Sequence, residues 1–141
     1  PTIACFTMIR NAFTRCSRLY RRSTGLPRTL SSSSSSSNDV VGFLGLGNMG
    51  LPMALNLAKA KTVVAFDLNE QARIMAQEKG IAIQDSIVSV AQESSTIITM
   101  LPSDDAVHSV LGTVMENCPS NSTIIDCSTV SPTTSRHWHE Q

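Results

Sequence analysis

The sequence predicts an α/β chain built on a doubly wound parallel sheet, and three observations carry that expectation. From Val40 onward, short β-branched runs alternate with stretches of helical period, the pattern of strands joined by helical crossovers. A glycine-rich turn, Gly45-Leu46-Gly47-Asn48-Met49-Gly50, stands at the first strand-to-helix junction. An acidic residue, Asp67, closes the second strand, 22 residues after Gly45 and 17 after Gly50. Strands joined by right-handed helical crossovers run parallel, and ligands of such sheets bind beyond the carboxyl ends of the strands.

The elements follow in order. Val40 to Leu44 reads as the first strand, and Leu51 to Lys59 as a helix that tolerates Pro52 in its first turn. Thr62 to Phe66 is the second strand. Asn69 caps a helix that runs to Lys79, and Gly80 supplies its left-handed stop. Ile81 to Ile83 is a weak third strand, after which Asp85 is positioned to cap a short helix through Ala91. Thr96 to Met100 is the fourth strand, and Asp104 and Asp105 open the next helix with negative charge where the dipole favours it. Ser122 to Ile125 is the fifth strand, expected to leave an open sheet edge, and Ser131-Pro132 begins a last helix reaching Gln141.

Composition divides the 141 residues into two parts. Residues 1–38 carry six arginines, no lysine and no acid, and include the serine run 31–37; residues 39–141 carry five basic and eleven acidic side chains. The Arg-rich, acid-free leader reads as a transit peptide with a Ser-rich, disordered linker, Phe6, Ile9, Phe13 and Cys16 recurring at helical spacing; a disordered basic tail is the alternative. The arginine bias favours the mitochondrial matrix over the chloroplast. Residues 39–141 form the globular domain. Its acidic balance argues against nucleic acid and against an anionic membrane surface, and no apolar run is long enough to span a bilayer.

The glycine turn carries the chemistry. In G-x-G-x-x-G the first glycine permits a tight turn, the second lets the backbone approach a pyrophosphate, and the third allows close packing of helix on strand. The carboxylate of Asp67 stands where it accepts hydrogen bonds from the adenosine ribose. It also repels a 2′-phosphate, and Leu68, Asn69 and Glu70 offer no cation to receive one, so NAD is expected rather than NADP. The bland role for Asp67 is a turn residue at a strand end.

Other side chains point to packing. His137 and His139 lie two apart on a helix, hence on different faces, which disfavours a zinc pair, and no metal site is expected. Trp138, Met75 and Met115 read as packing residues, Cys118 and Cys127 as buried free thiols, and His108, with no Ser or Asp partner at an identifiable motif, as a surface helix residue.

Phe43 to Ala54, with Met49 and the Met53-Ala54 pair, resembles the amino-terminal signature of the 3-hydroxyisobutyrate dehydrogenase family of β-hydroxyacid dehydrogenases. The resemblance continues through Asn56-Leu57, Phe66-Asp67, Ile98 to Pro102 and the D-x-S-T-x-x-P element Asp126 to Pro132, and so covers Val40 to the end. It implies a Rossmann-type NAD-binding domain in which Gly45 to Gly50, Phe66, Asp67 and Leu68 hold the cofactor. It further implies that the Leu101-Pro102 backbone lines the nicotinamide ribose side, that Thr129 contacts the nicotinamide end, and that Ser128 sits beside the substrate. Ser131 is read as a helix cap only.

The family's activity is NAD-dependent oxidation of a small 3-hydroxy acid, and a mitochondrial address fits the valine-degradation enzyme better than glyoxylate, succinic or tartronate semialdehyde reductases. Two departures stand out. Between Met53 and Asp67 the chain is one residue shorter than the family pattern, with Lys61 where a glycine pair ends the helix, which puts that join in question. The family's catalytic lysine, in a G-x-x-G-x-G-x-x-x-K-x-x-x-N pattern, has no counterpart here, nor does the helical domain through which the full-length protein is expected to form a homo-oligomer. No catalytic residue is therefore assigned, and Lys59, Lys61 and Lys79 lie on the wrong elements. The readings left open are the cofactor-binding part of a dehydrogenase and a dinucleotide-binding module that catalyses nothing.

Overall fold

The computed structural model describes residues 6–9 and 40–141. Its strands are β1 (Phe6–Ile9), β2 (Val40–Leu44), β3 (Thr62–Phe66), β4 (Ala82–Ile83), β5 (Thr96–Thr99) and β6 (Thr123–Asp126), in the order β1-β6-β5-β2-β3-β4. From β4 through β6 every pairing is parallel, with Val41 opposite Val63 on one side and Thr96 on the other. The order reverses at β2, which is therefore the switch point of the sheet.

Five helices follow strands β2 to β6: α1 (Gly50–Ala58), α2 (Glu70–Glu78), α3 (Ile87–Glu93), α4 (Asp104–Asn117) and α5 (Pro132–His139). Successive strand residues point to opposite faces, and both faces are apolar because helices cover both. Phe43, Val63 and Ala65 pack with Leu51, Ala54, Ala72 and Ala76 beneath α1 and α2. Leu44, Val64, Ile97 and Ile124 pack with Val90, Val107, Leu111 and Trp138 beneath α3, α4 and α5.

Local signals account for the element ends. Asn69 accepts the amides of Gln71 and Ala72 at the start of α2, and Gly80 follows that helix with φ +89°. Ser86, rather than the expected Asp85, caps α3 by accepting from the Ser89 amide at 3.1 Å. Ser103 caps α4, and Ser131 caps α5 ahead of Pro132. The shortened join after α1 closes without a glycine: Ala60 and Lys61 both donate to the Leu57 carbonyl, and β3 enters the sheet in register.

Several expectations change. Phe6–Ile9 is a strand, not the start of a helix, and it pairs antiparallel with β6, Phe6 opposite Asp126, so the edge expected to be open has a partner. The rest of the leader, with Phe13 and Cys16, lies outside the described residues. Cys118 and Cys127 are only partly buried, neither in a disulfide. Met75 is exposed, whereas Met115 packs against the core. His108 is exposed on α4, as expected, and its ring lies 5.4 Å from that of His137 and 5.5 Å from Trp138, bringing α4 against α5. No helix among the described residues is long and apolar enough to cross a membrane.

Candidate functional site

A cleft of about 620 Å³ opens beyond the carboxyl ends of β2, β3 and β5, at the switch point. The glycine turn forms its floor. Gly45 has φ +97°, and its amide donates to the Phe66 carbonyl at 3.1 Å. A side chain at Gly45 would run into the Met100 carbonyl, and one at Gly50 into the carbonyl oxygen of Gly45, so both glycines are required by close backbone packing. Gly47 differs: a Cβ there meets nothing within 4 Å, because this part of the turn faces open space.

The start of α1 also differs from the other helix starts. Asn69, Ser86, Ser103 and Ser131 each cap a helix with a side-chain oxygen, whereas Met49 at the start of α1 makes no such bond. Gly47, Asn48, Met49 and Gly50 all line the cleft, so the positive end of the α1 dipole lies at its wall. A phosphate is the group that such an end receives.

Asp67 joins the second strand to this turn. One carboxylate oxygen accepts the Leu46 amide at 2.5 Å and the other accepts the Asn69 amide at 2.7 Å, so the turn role and the site role are held together. Leu68, Asn69 and Glu70 carry no cation, as expected, but Arg73 beyond them stands close by. One turn into α2, its guanidinium donates to the main-chain carbonyls of Asp67 and Leu68 and lies 5.6 Å from the Phe66 ring centroid.

On the β5 and β6 side the site rests on side chains. Asp126, 4% exposed, accepts on one carboxylate oxygen from the Thr99 hydroxyl at 2.7 Å, the Ser128 amide at 3.0 Å and the Ser128 hydroxyl at 2.6 Å. The Ser128 Oγ in turn accepts the Leu101 amide at 2.8 Å.

Of the residues singled out in the sequence, Gly45, Gly47, Asn48, Met49, Gly50, Phe66, Asp67, Leu68, Leu101 and Pro102 line the cleft. Leu46 contributes its amide while its side chain is buried in the core. Ser128 is buried beneath Leu101, and Thr129 is exposed just beyond it; neither lines the cleft. Sequence reasoning missed Ile87 on α3 and Ala106 and Val110 on α4, which supply an apolar wall. The i, i+4 spacing of Ala106 and Val110 beside the core stripe Val107, Leu111 and Val114 was the available signal. Lys59 and Lys61 fall between α1 and β3 and Lys79 falls before β4, at the opposite end of the strands. Among the described residues no three of His, Cys, Asp or Glu gather as a metal site.

A dinucleotide fits this arrangement: an open glycine for the pyrophosphate, an uncapped helix start, and a carboxylate on the neighbouring strand. Comparison with known proteins agrees. Residues 40–141 match the family described as the NAD binding domain of 6-phosphogluconate dehydrogenase. The chain is 36% identical over 120 residues to the mitochondrial 3-hydroxyisobutyrate dehydrogenase of Rattus norvegicus, covering 82% of this chain and 36% of that protein. It is 41% identical over 96 residues to the 2-(hydroxymethyl)glutarate dehydrogenase of Eubacterium barkeri, covering 65% of this chain and 32% of that protein. The solved 3-hydroxyisobutyrate dehydrogenase of Mycobacterium tuberculosis, with L-serine, superimposes with a TM-score of 0.68 at 35% identity, over 72% of this chain and 35% of that one. The chain thus spans about a third of the length of the relatives it matches. By sequence and by fold, residues 40–141 belong to the family of NAD-binding domains of the 6-phosphogluconate dehydrogenase type, alongside the amino-terminal part of the 3-hydroxyisobutyrate dehydrogenases.

Proposed function

We propose that this chain is the cofactor-binding part of an NAD-dependent dehydrogenase that oxidises a small 3-hydroxy acid, with 3-hydroxyisobutyrate and hence valine degradation the first choice. The observation that carries the reading is the Asp67 carboxylate bound to the Leu46 amide at the rim of the glycine turn, which sets a ribose acceptor beside a phosphate site in one cleft. When bound, NAD supplies the hydride acceptor. The residues of this chain bind and orient: Gly47 and the start of α1 take the pyrophosphate, and Asp67 takes the ribose hydroxyls and repels a 2′-phosphate. Leu101, Pro102 and Thr129 take the nicotinamide end. Ser128 supports the substrate side from beneath it.

None of these residues is assigned the proton of the substrate hydroxyl. A positioned acid/base contributes roughly 10² to 10⁴ in rate. The 141 residues alone are therefore expected to bind NAD without forming NADH. The Arg-rich leader supports a mitochondrial address, as does the mitochondrial name of the rat relative.

A chimera tests the reading. Residues 40–141 replace the matching segment of the rat enzyme, and NADH formation is followed with 3-hydroxyisobutyrate. Saturable NADH production is expected. A folded chimera that binds NAD yet oxidises no 3-hydroxy acid would instead favour a dinucleotide-binding module without dehydrogenase activity.

A further inference from the structure

Asp126 is a buried carboxylate that the cofactor site does not touch directly. An ionised group at 4% exposure is costly unless hydrogen bonds compensate it, and here three donors from Thr99 and Ser128 converge on a single oxygen. The arrangement has a direction. Because the Ser128 hydroxyl donates its hydrogen bond to Asp126, a lone pair is left to accept from the Leu101 amide, and that bond measures 2.8 Å. The ends of β5 and β6 are thereby tied together through side chains, in addition to the main-chain bond from the Cys127 amide to the Thr99 carbonyl at 2.8 Å.

The tie lies on a defined side of the cleft. A dinucleotide lies across the switch point, with its pyrophosphate at the glycine turn after β2. Asp67, just after β3, claims the adenosine ribose, so the second nucleotide falls over β5 and β6, where Leu101 and Pro102 form the wall.

We propose that Asp126 is a positioning residue: acting through Ser128, it fixes the main chain at Leu101 and so sets the wall that receives the nicotinamide half of the cofactor. The inference rests on the dinucleotide reading of the cleft and goes beyond it by separating the two halves of the ligand.

The test compares NAD with ADP-ribose, which lacks the nicotinamide ring, by calorimetric titration of the 141-residue chain, and follows hydrogen exchange at the Leu101 amide. Ser128→Ala removes the relay and keeps the buried volume nearly constant; Asp126→Asn weakens the relay by removing its charge. With Ser128→Ala, NAD affinity is expected to fall about tenfold, the scale of one lost hydrogen bond with its partner left unmet. ADP-ribose affinity stays unchanged and the Leu101 amide exchanges faster. Asp126→Asn is expected to act in the same direction and less strongly. Equal losses for NAD and ADP-ribose would reduce the network to a brace of the fold and overturn the proposal, as would unchanged NAD affinity with Leu101 still protected. An unvaried chain that binds ADP-ribose as tightly as NAD would overturn this inference alone. An unvaried chain that binds neither would overturn the cofactor reading and this inference with it.

Discussion

The two sides of the cleft are built by different means. Around β2 and β3 the site is made of main chain: a glycine turn, a helix start without a side-chain cap, and one carboxylate that accepts two amides. Around β5 and β6 the cleft wall at Leu101 and Pro102 rests on a side-chain network buried beneath it, with Asp126 gathering Thr99 and Ser128 and Ser128 holding Leu101. A main-chain site depends on residues that have no side chain to spare, so it tolerates almost no addition. A side-chain network depends on each member being satisfied, so it is sensitive to deletion.

The most severe way to break the first side is Gly50→Ala. The new methyl would overlap the Gly45 carbonyl oxygen, and relieving that overlap means separating α1 from β2. A loss of about 3 kcal/mol or more is expected in chemical denaturation, at the upper end of overpacking effects. A melting curve like that of the unvaried chain would contradict the close packing.

Gly47→Ala sharpens the comparison within the same turn. Nothing lies within 4 Å of a Cβ at this position, so the folded chain is expected to keep its stability. The methyl instead occupies the path of the phosphates, and NAD affinity is expected to fall by roughly tenfold to a hundredfold, the worth of one or two charge-assisted hydrogen bonds. Titration and thermal unfolding on the same sample separate the two effects. Loss of stability with binding intact would reverse the roles given to Gly47 and Gly50.

Asp67→Ala acts next in size. Losing the ribose acceptor lowers NAD affinity, while removing the repulsion of a 2′-phosphate, about 1 kcal/mol or more at close range, raises that for NADP. The gap between the two cofactors is expected to narrow, as read by paired titrations. The smallest effect is expected on stability at the cleft's rim: Asn69→Ala removes the cap of α2 and costs about 1 kcal/mol.

Legibility in the sequence follows the same division. The five parallel strands were readable because β-branched runs bury both faces, and the glycine turn and Asp67 because their spacing is local and each residue type has a mechanical reason. The neighbours Asp85 and Ser86 both suit a cap, and only the extended backbone and hydroxyl of Ser86 show which one serves. Phe6–Ile9 is too short for its apolar spacing to separate strand from helix, and its pairing with β6 is a contact across more than a hundred residues. The network under Leu101 joins residues 27 apart in the chain, and nothing in a local pattern announces that Thr99, Leu101, Asp126 and Ser128 meet. Arg73 is hidden for a related reason: it lies beyond the segment Leu68 to Glu70 that follows the strand, and the first turn of α2 returns it to the carbonyls of Asp67 and Leu68.

The central claim is that one cleft, with Asp67 at its rim, is an NAD site. Its most direct test is a parallel titration of the unvaried 141-residue chain with NAD and with NADP at low and moderate salt. NAD is expected to bind at one site and more tightly than NADP, with the difference shrinking as the cation concentration screens the 2′-phosphate from Asp67. Equal affinity for the two at every salt concentration, or no binding of either, would contradict it.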